Sequence, residues 1–293
     1  MSKIVGEMVT AQVTDENEQA FFAQIDGQTY QIDKSELLKP LKIGGMVTGF
    51  AYENKNSQLQ ITKQKIEVTK GHYAFGTVTD ARRDLGVFVD VGLPNKDLVV
   101  SLDELPTIHE LWPKRGDRLL LTLRVDAKQR LWGELAPVEV FNAIRIPAKL
   151  TMKGQKHVVG TVYRLKMVGT LVLTDDFHVG FIHPSERYQE PRLGQRVEAR
   201  VIGVRDDGVL NLSLKPLAYK VINGDAKMIL TLLQRTKTHQ LPYNDHSDSA
   251  AIKQYFGMSK GQFKRAVGHL YKERLIMQND QGIELVISEE SSD

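Results

Sequence analysis

The chain has 293 residues, 41% of them hydrophobic and 26% charged, with a formal net charge of +3 and no cysteine. That length supplies two or more domains, and the missing cysteines exclude disulfides, thiolate zinc sites and cysteine nucleophiles. The small basic excess is compatible with a polyanionic partner without demanding one; no apolar run approaches the roughly 20 residues that span a bilayer, so a soluble, cytoplasmic protein without a membrane partner is expected.

The opening MSKIVGEMVTAQ has no secretion-signal pattern. Strand-like alternation follows over Met8–Thr14, Ala20–Asp26, Gln28–Asp33 and Ile43–Thr62, with Asn54 and Asn56 in a polar turn. This predicts an abbreviated five-stranded barrel over residues 1–65, with Phe22, Phe50 and Tyr52 as its candidate aromatic platforms.

The next segment, 66–136, carries the sharpest signal, GTVTDARRDLGVFVDVG from Gly76 to Gly92. Alternation puts Val87, Val89 and Val91 on one face and turns Phe88 outward. Phe88 is thereby placed for contact, and Arg82 and Arg83 lie in the adjoining turn. A ring beside guanidinium groups suits single-stranded nucleic acid, which needs a stacking surface and charge for its phosphates. LVVSLDEL, LLLTLRV and RLWGEL complete a second barrel and add Arg124, Asp126 and Arg130 around its last hairpin. A bland reading stands beside this one: Phe88 covered by a neighbouring barrel, and the arginines ordinary solvated charges.

Residues 137–156, bounded in part by Pro137 and Pro147, read as a connector with a short amphipathic helix. The order of strands then returns over 157–216 in GTVYRLKMVGTLVLT, GFIHPSE, LGQRVEARVIGV and VLNLSLK. Such self-similarity predicts a repeat, and closure into barrels would remove the edges of such short sheets. Leu171 and Leu173 fall on the face that should be wet, which predicts that this face packs on another part of the chain.

The pattern G-x-V, G-x-F-V, G-x-x-H-x-S-E and a final L-S-x-K resembles the S1 RNA-binding domain, a barrel of the oligonucleotide-binding fold. The resemblance implies a ligand surface built from aromatics on the second strand, a histidine at the third-strand corner, and an aspartate and a basic residue at the last hairpin. The second barrel matches with Phe88, Asp126 and Arg130 but has Leu85 and Ser101 at two of the expected positions. The third keeps His183, with Tyr163 and Arg164 on its opening strand, but has Leu171, Arg205 and Val209 where the aromatic, the aspartate and the basic residue would stand. His183, before a proline in a corner, also has a structural reading in which its ring meets a backbone carbonyl.

Beyond Lys215 the period changes to about three and a half, so helices are expected over 217–293. The first runs Asp225–Lys237, a second follows a cap at Ser247 or Asp248, and a third follows a turn at Gly257 and a cap at Ser259, before a hairpin around Asp280–Gly282. This is the pattern of a winged helix-turn-helix. Its third helix carries Lys260, Lys264, Arg265, His269 and Lys272, a basic face suited to phosphates in RNA or DNA; winged helices equally serve as protein-binding blocks. Barrels followed by SKGQFKRAVGHLYKERLI resemble the conserved virulence factor B family of bacteria over essentially the whole chain, which implies an RNA-binding regulator of gene expression.

No phosphate loop, dinucleotide fingerprint, H-E-x-x-H or G-x-S-x-G occurs. His239, Asp245, His246 and Asp248 form the densest group of metal-ligand types, in a loop that reads as a cap and turn. A mainly β, multidomain protein is expected, with three oligonucleotide-binding barrels and an α+β winged helix, neither enzymatic nor dependent on a cofactor or metal. Two functions remain open: an RNA binder, or an adaptor for proteins of the transcription or translation machinery.

Overall fold

The computed structural model describes residues 4–152, 157–215 and 224–286, in two compact units, Met1–Leu214 and Lys215–Asp293. The end of the expected connector and the 216/217 boundary lie outside the described residues. Among the described residues no helix is long and apolar enough to cross a membrane.

In the first unit the segments with a period of two form short strands: β1 (Glu7–Glu16), β2 (Ala20–Ile25), β3 (Gln28–Asp33), β4 (Met46–Glu53) and β5 (Leu59–Thr62). There follow β6 (Ala74–Arg82), β7 (Gly86–Asp90), β8 (Leu98–Ser101), β9 (Arg118–Val125) and β10 (Leu131–Leu135). After helix α1 (Val138–Ile144) come β11 (His157–Lys166), β12 (Gly169–Thr174), β13 (Val179–Ile182), β14 (Arg196–Val204) and β15 (Leu210–Ser213). Each set closes in the same cyclic order, first-second-third-fifth-fourth. In the first set the join between β3 and β5 is one parallel pair, Gln31 with Gln60. The first hairpin of each set carries a bulge at the same place, Val13/Asp15, Val78/Asp80 and Val162/Arg164, and the added bend helps so few strands curl shut. Inward positions fill the barrels: Val78, Val87, Val89, Leu98, Val100 and Leu121 in the second, and Val162, Val172, Ile182, Val201, Leu210 and Leu212 in the third.

The barrels of this unit are stitched to one another. In β4, Ala51 belongs to the core of the first barrel, whereas Phe50 and Tyr52, each 1% exposed, pack with Val78, Val87 and Leu98 of the second. The Tyr52 hydroxyl donates to the Pro94 carbonyl at 3.0 Å. Arg192 donates through Nε and a terminal nitrogen, both at 3.1 Å, to the buried carboxylate of Asp117, and the Arg118 N–H donates to the Gly194 carbonyl. The wet-face leucines pack as expected: Leu173 is buried with Leu120 of β9 and Phe141 of α1, with Leu171 against the same cluster.

The second unit contains α2 (Gly224–Arg235), β16 (Gln240–Leu241), α3 (Ser249–Phe256), α4 (Lys260–Lys272), β17 (Ile276–Asn279) and β18 (Gly282–Leu285). Asp248 caps α3 through the N–H groups of Ala250 and Ala251, and Gly257 ends that helix at φ 71°, where a side chain would be strained. Ser259 and Gln262 form a reciprocal capping box on α4. Ile229, Leu233, Ile252, Phe256, Phe263, Val267 and Leu270 make the core. The strands pair in the order β16-β18-β17; β16 falls in what the sequence reads as a loop.

Candidate nucleic-acid interface

Cross-strand register builds the outer face of the second barrel. Phe88 on β7 pairs with Val99 on β8, Val99 with Trp132 on β10, and Trp132 with Arg124 on β9. Paired residues share a face, so these four form one row across four strands, with Phe88 and Trp132 two strands, or about 10 Å, apart. Both rings line a groove of about 720 Å³, with Leu85, Val99 and Arg130. The opposite wall comes from the turn between β4 and β5, where Asn54, Lys55 and Ser57 face the groove. The Lys55 N–H donates to the Asn95 carbonyl, tying that wall to the second barrel.

Asp126 organises one end. Its carboxylate accepts from the N–H groups of Lys128 and Arg130, from Arg130 Nε at 2.8 Å and from Trp132 Nε1 at 3.2 Å. These bonds, the Arg130 backbone N–H foremost, hold its pKa well below the usual carboxylate range. The aspartate thereby fixes the indole and guanidinium together, with Arg130 5.5 Å over the Trp132 ring. The groove's charge is mixed: Glu53, Asp90 and Asp97 line it alongside Lys55, Lys96 and Arg130.

Of the residues singled out in the sequence, Phe88, Asp126, Arg130 and Arg124 come together here. Phe88 is half-buried and borders the groove, while Arg82 and Arg83 are exposed on the β6–β7 hairpin away from its lining, Arg82 paired with Asp84 at 3.0 Å. Trp132 joins the site from outside the expected set, and its signal is the alternation that RLWGEL shares with the strand of Phe88. Phe50 and Tyr52 are not platforms; they are buried beneath the second barrel.

The third barrel repeats the row with different residues. Leu171 pairs with Phe181 and Phe181 with Asn211, so the aromatic has moved one strand over. Arg205 lies 4.5 Å above the Phe181 ring and donates through Nε to the Asn211 side-chain Oδ1 at 2.9 Å. His183 borders the same hollow. Its Nδ1 accepts from the Ser185 N–H at 3.2 Å and lies 2.7 Å from the Ser185 hydroxyl, so its ring caps a short turn and does not meet the backbone carbonyl expected of a structural histidine at this corner. Tyr163 lies away from this hollow: it is half-buried and stacked on Phe141, centroids 3.9 Å apart, because α1 folds back over it. Arg164 is exposed beside it.

On α4, Lys264, Arg265 and Lys272 are exposed opposite the buried Phe263, Val267 and Leu270. Lys260 is half-buried at the flank and reaches the His246 carbonyl at 3.4 Å. His269 leaves the basic face: it is half-buried, and its Nε2 is sealed without a partner among the described residues. Asp248 is occupied as a cap and Asp245 accepts from Gln278; among the described residues no group of three acidic or histidine side chains could hold a metal.

Comparison with known proteins divides the chain along these lines. Residues 5–64 match an S1 domain, 73–134 a first S1-like domain of CvfB, 141–216 the second domain of the virulence regulatory factor CvfB, and 227–285 a CvfB-like winged helix domain. Conserved virulence factor B of Staphylococcus epidermidis is 38% identical over 253 residues, 86% of this chain and 84% of that one. The uncharacterized protein YitL of Bacillus subtilis is 36% identical over 94% of this chain and 91% of its own length. A crystal structure described as a multidomain protein with nucleic acid binding domains, from Streptococcus pneumoniae, is 46% identical with a TM-score of 0.70, covering 96% of this chain and 98% of that one. With S1-like barrels ahead of a winged helix and this likeness to bacterial relatives along nearly its full length, the chain belongs to the conserved virulence factor B family.

Proposed function

We propose that this protein binds single-stranded RNA on its S1-type barrels and acts as a regulator of bacterial gene expression, without catalysis of its own. The observation that carries the reading is the outer row of the second barrel, where Phe88 and Trp132 border one groove with Arg130 anchored beside the indole. Bases stack on such rings for about 1–3 kcal/mol each whatever their sequence. The hollow of the third barrel, with Phe181, Arg205 and Asn211, offers a second weaker contact, and the exposed lysines and arginine of α4 a phosphate-binding face. Several modest sites on one chain gain avidity by linkage. The description of the pneumococcal structure supports the nucleic-acid part of this reading, and the family description as a virulence regulatory factor supports the regulatory part.

The balance of charge in the groove sets a quantitative expectation. With three acids beside three bases, stacking dominates, and two or three phosphate contacts would give a slope of log affinity on log salt of about −1.4 to −2.1. Fluorescence anisotropy with a labelled RNA oligomer at several salt concentrations tests this. Trp132→Ala and Phe88→Ala should each weaken binding about fivefold to hundredfold with the salt slope unchanged. Full affinity in the double variant would sink the proposal and favour the adaptor reading.

A further inference from the structure

A second cavity, of about 350 Å³, lies between the second barrel, α1 and the third barrel within the first unit. It is separate from the groove and shares no lining residue with it. Most of its wall is apolar, including Leu120, Phe141 and Leu173. Two half-buried charges interrupt that wall. Glu104 accepts the Leu135 N–H at 2.7 Å through one carboxylate oxygen, and its other oxygen has no partner among the described residues. The Arg118 guanidinium stacks 4.6 Å from the centre of the Phe75 ring and has no carboxylate partner among the described residues.

Both groups keep hydrogen-bonding capacity that faces the space, one carboxylate oxygen on Glu104 and the guanidinium N–H groups on Arg118, and they share a cavity of ligand-binding size. From this we infer that the cavity is a site for a guanine nucleotide. A guanine ring would lie among the apolar and aromatic walls, and its adjacent imino and amino donors would meet the unused capacity of Glu104. Arg118, with exposed Arg164 at the same cavity, would hold the phosphate. Carboxylates select bases by accepting from such donor edges, which excludes adenine from the same pose. The base can arrive as a free nucleotide or on an RNA strand, and the chemistry is shared.

Calorimetric titration of the full-length chain with GMP, AMP and guanosine tests the site. GMP should bind at least about tenfold tighter than AMP, and Glu104→Gln should weaken GMP about tenfold to hundredfold. Arg118→Met should weaken GMP while leaving guanosine unchanged. Phe88→Ala should bind GMP as the parent does, so this inference and the groove's RNA reading fail separately. Displacement of GMP by an oligo(G) but not an oligo(U) strand would identify the strand as the source, and failure of both to displace it the free nucleotide. Absence of GMP binding, equal binding of GMP and AMP, or an undiminished affinity in a folded Glu104→Gln protein would overturn the assignment.

Discussion

Asp126 shows how much of a surface one side chain can organise. Its carboxylate takes bonds from Lys128, Arg130 and Trp132 at once, so replacing it releases an indole and a guanidinium together. Its pKa is depressed on folding, so its stabilising contribution is present above the unfolded value of 3.8 and is lost as pH falls through the lower folded value. Acid titration followed by Trp132 fluorescence should therefore show a step below about pH 4 that Asp126→Asn abolishes. Glu104 carries the opposite sign: burial raises its pKa above 4.5, so the stability linked to its proton is full below that value and is lost as pH rises through the folded one. Glu104→Gln should raise the melting temperature at pH 7 and lose that advantage in acid, as differential scanning calorimetry would record. The residue scale is also where the sequence was least legible. Alternation turns Phe88 outward, and Phe50 and Tyr52 also point away from the core of their own barrel, but a period of two reports which face a side chain occupies and not what covers that face. Tyr163 is likewise partly covered, by a helix whose fold-back no local pattern announces.

At the scale of single elements the sequence was far more informative, because strands, caps and turns are specified by nearby residues. The caps on α3 and α4 and the turn at Gly257 stand where Asp248, Ser259 and glycine put them. The glycine that opens β7 is a sharper case. Gly86 has a φ of 137° and lies so close to β8 that a Cβ would collide with the Val100 carbonyl. Gly169 opens β12 in the same way, with φ 149° and the Ile182 carbonyl 2.6 Å from the position of an added Cβ. Gly86→Ala should cost about 2–4 kcal/mol in urea denaturation and should shift the strand of Phe88, so the RNA affinity proposed for the groove should fall with stability. β16 has no sequence signal because two residues, Gln240 and Leu241, give no periodicity; they are a strand only because β18 lies beside them.

Across the whole molecule, repetition in the sequence announced the architecture, whereas the contacts between repeats depend on residues distant in the chain. Arg192 and Asp117, 75 positions apart, make a two-bond ion pair with the carboxylate buried. Removing one member of such a pair strands the other, at about 3–5 kcal/mol. Arg192→Ala should therefore lower the stability of the first unit, and a calorimetric scan should show whether its barrels then melt apart. Residues 1–215 expressed alone should keep the far-UV signature of the barrels, since their core is internal to that unit.

The hydroxyl of Tyr52 on Pro94 has one further consequence. It makes the first barrel a doorpost for a passage whose floor belongs to the second, so the clearance offered to a strand is set by a joint outside the residues that would touch it. Tyr52→Phe, which removes that hydroxyl alone, should speed both entry and escape of a bound oligomer in stopped-flow measurements while every stacking surface stays in place.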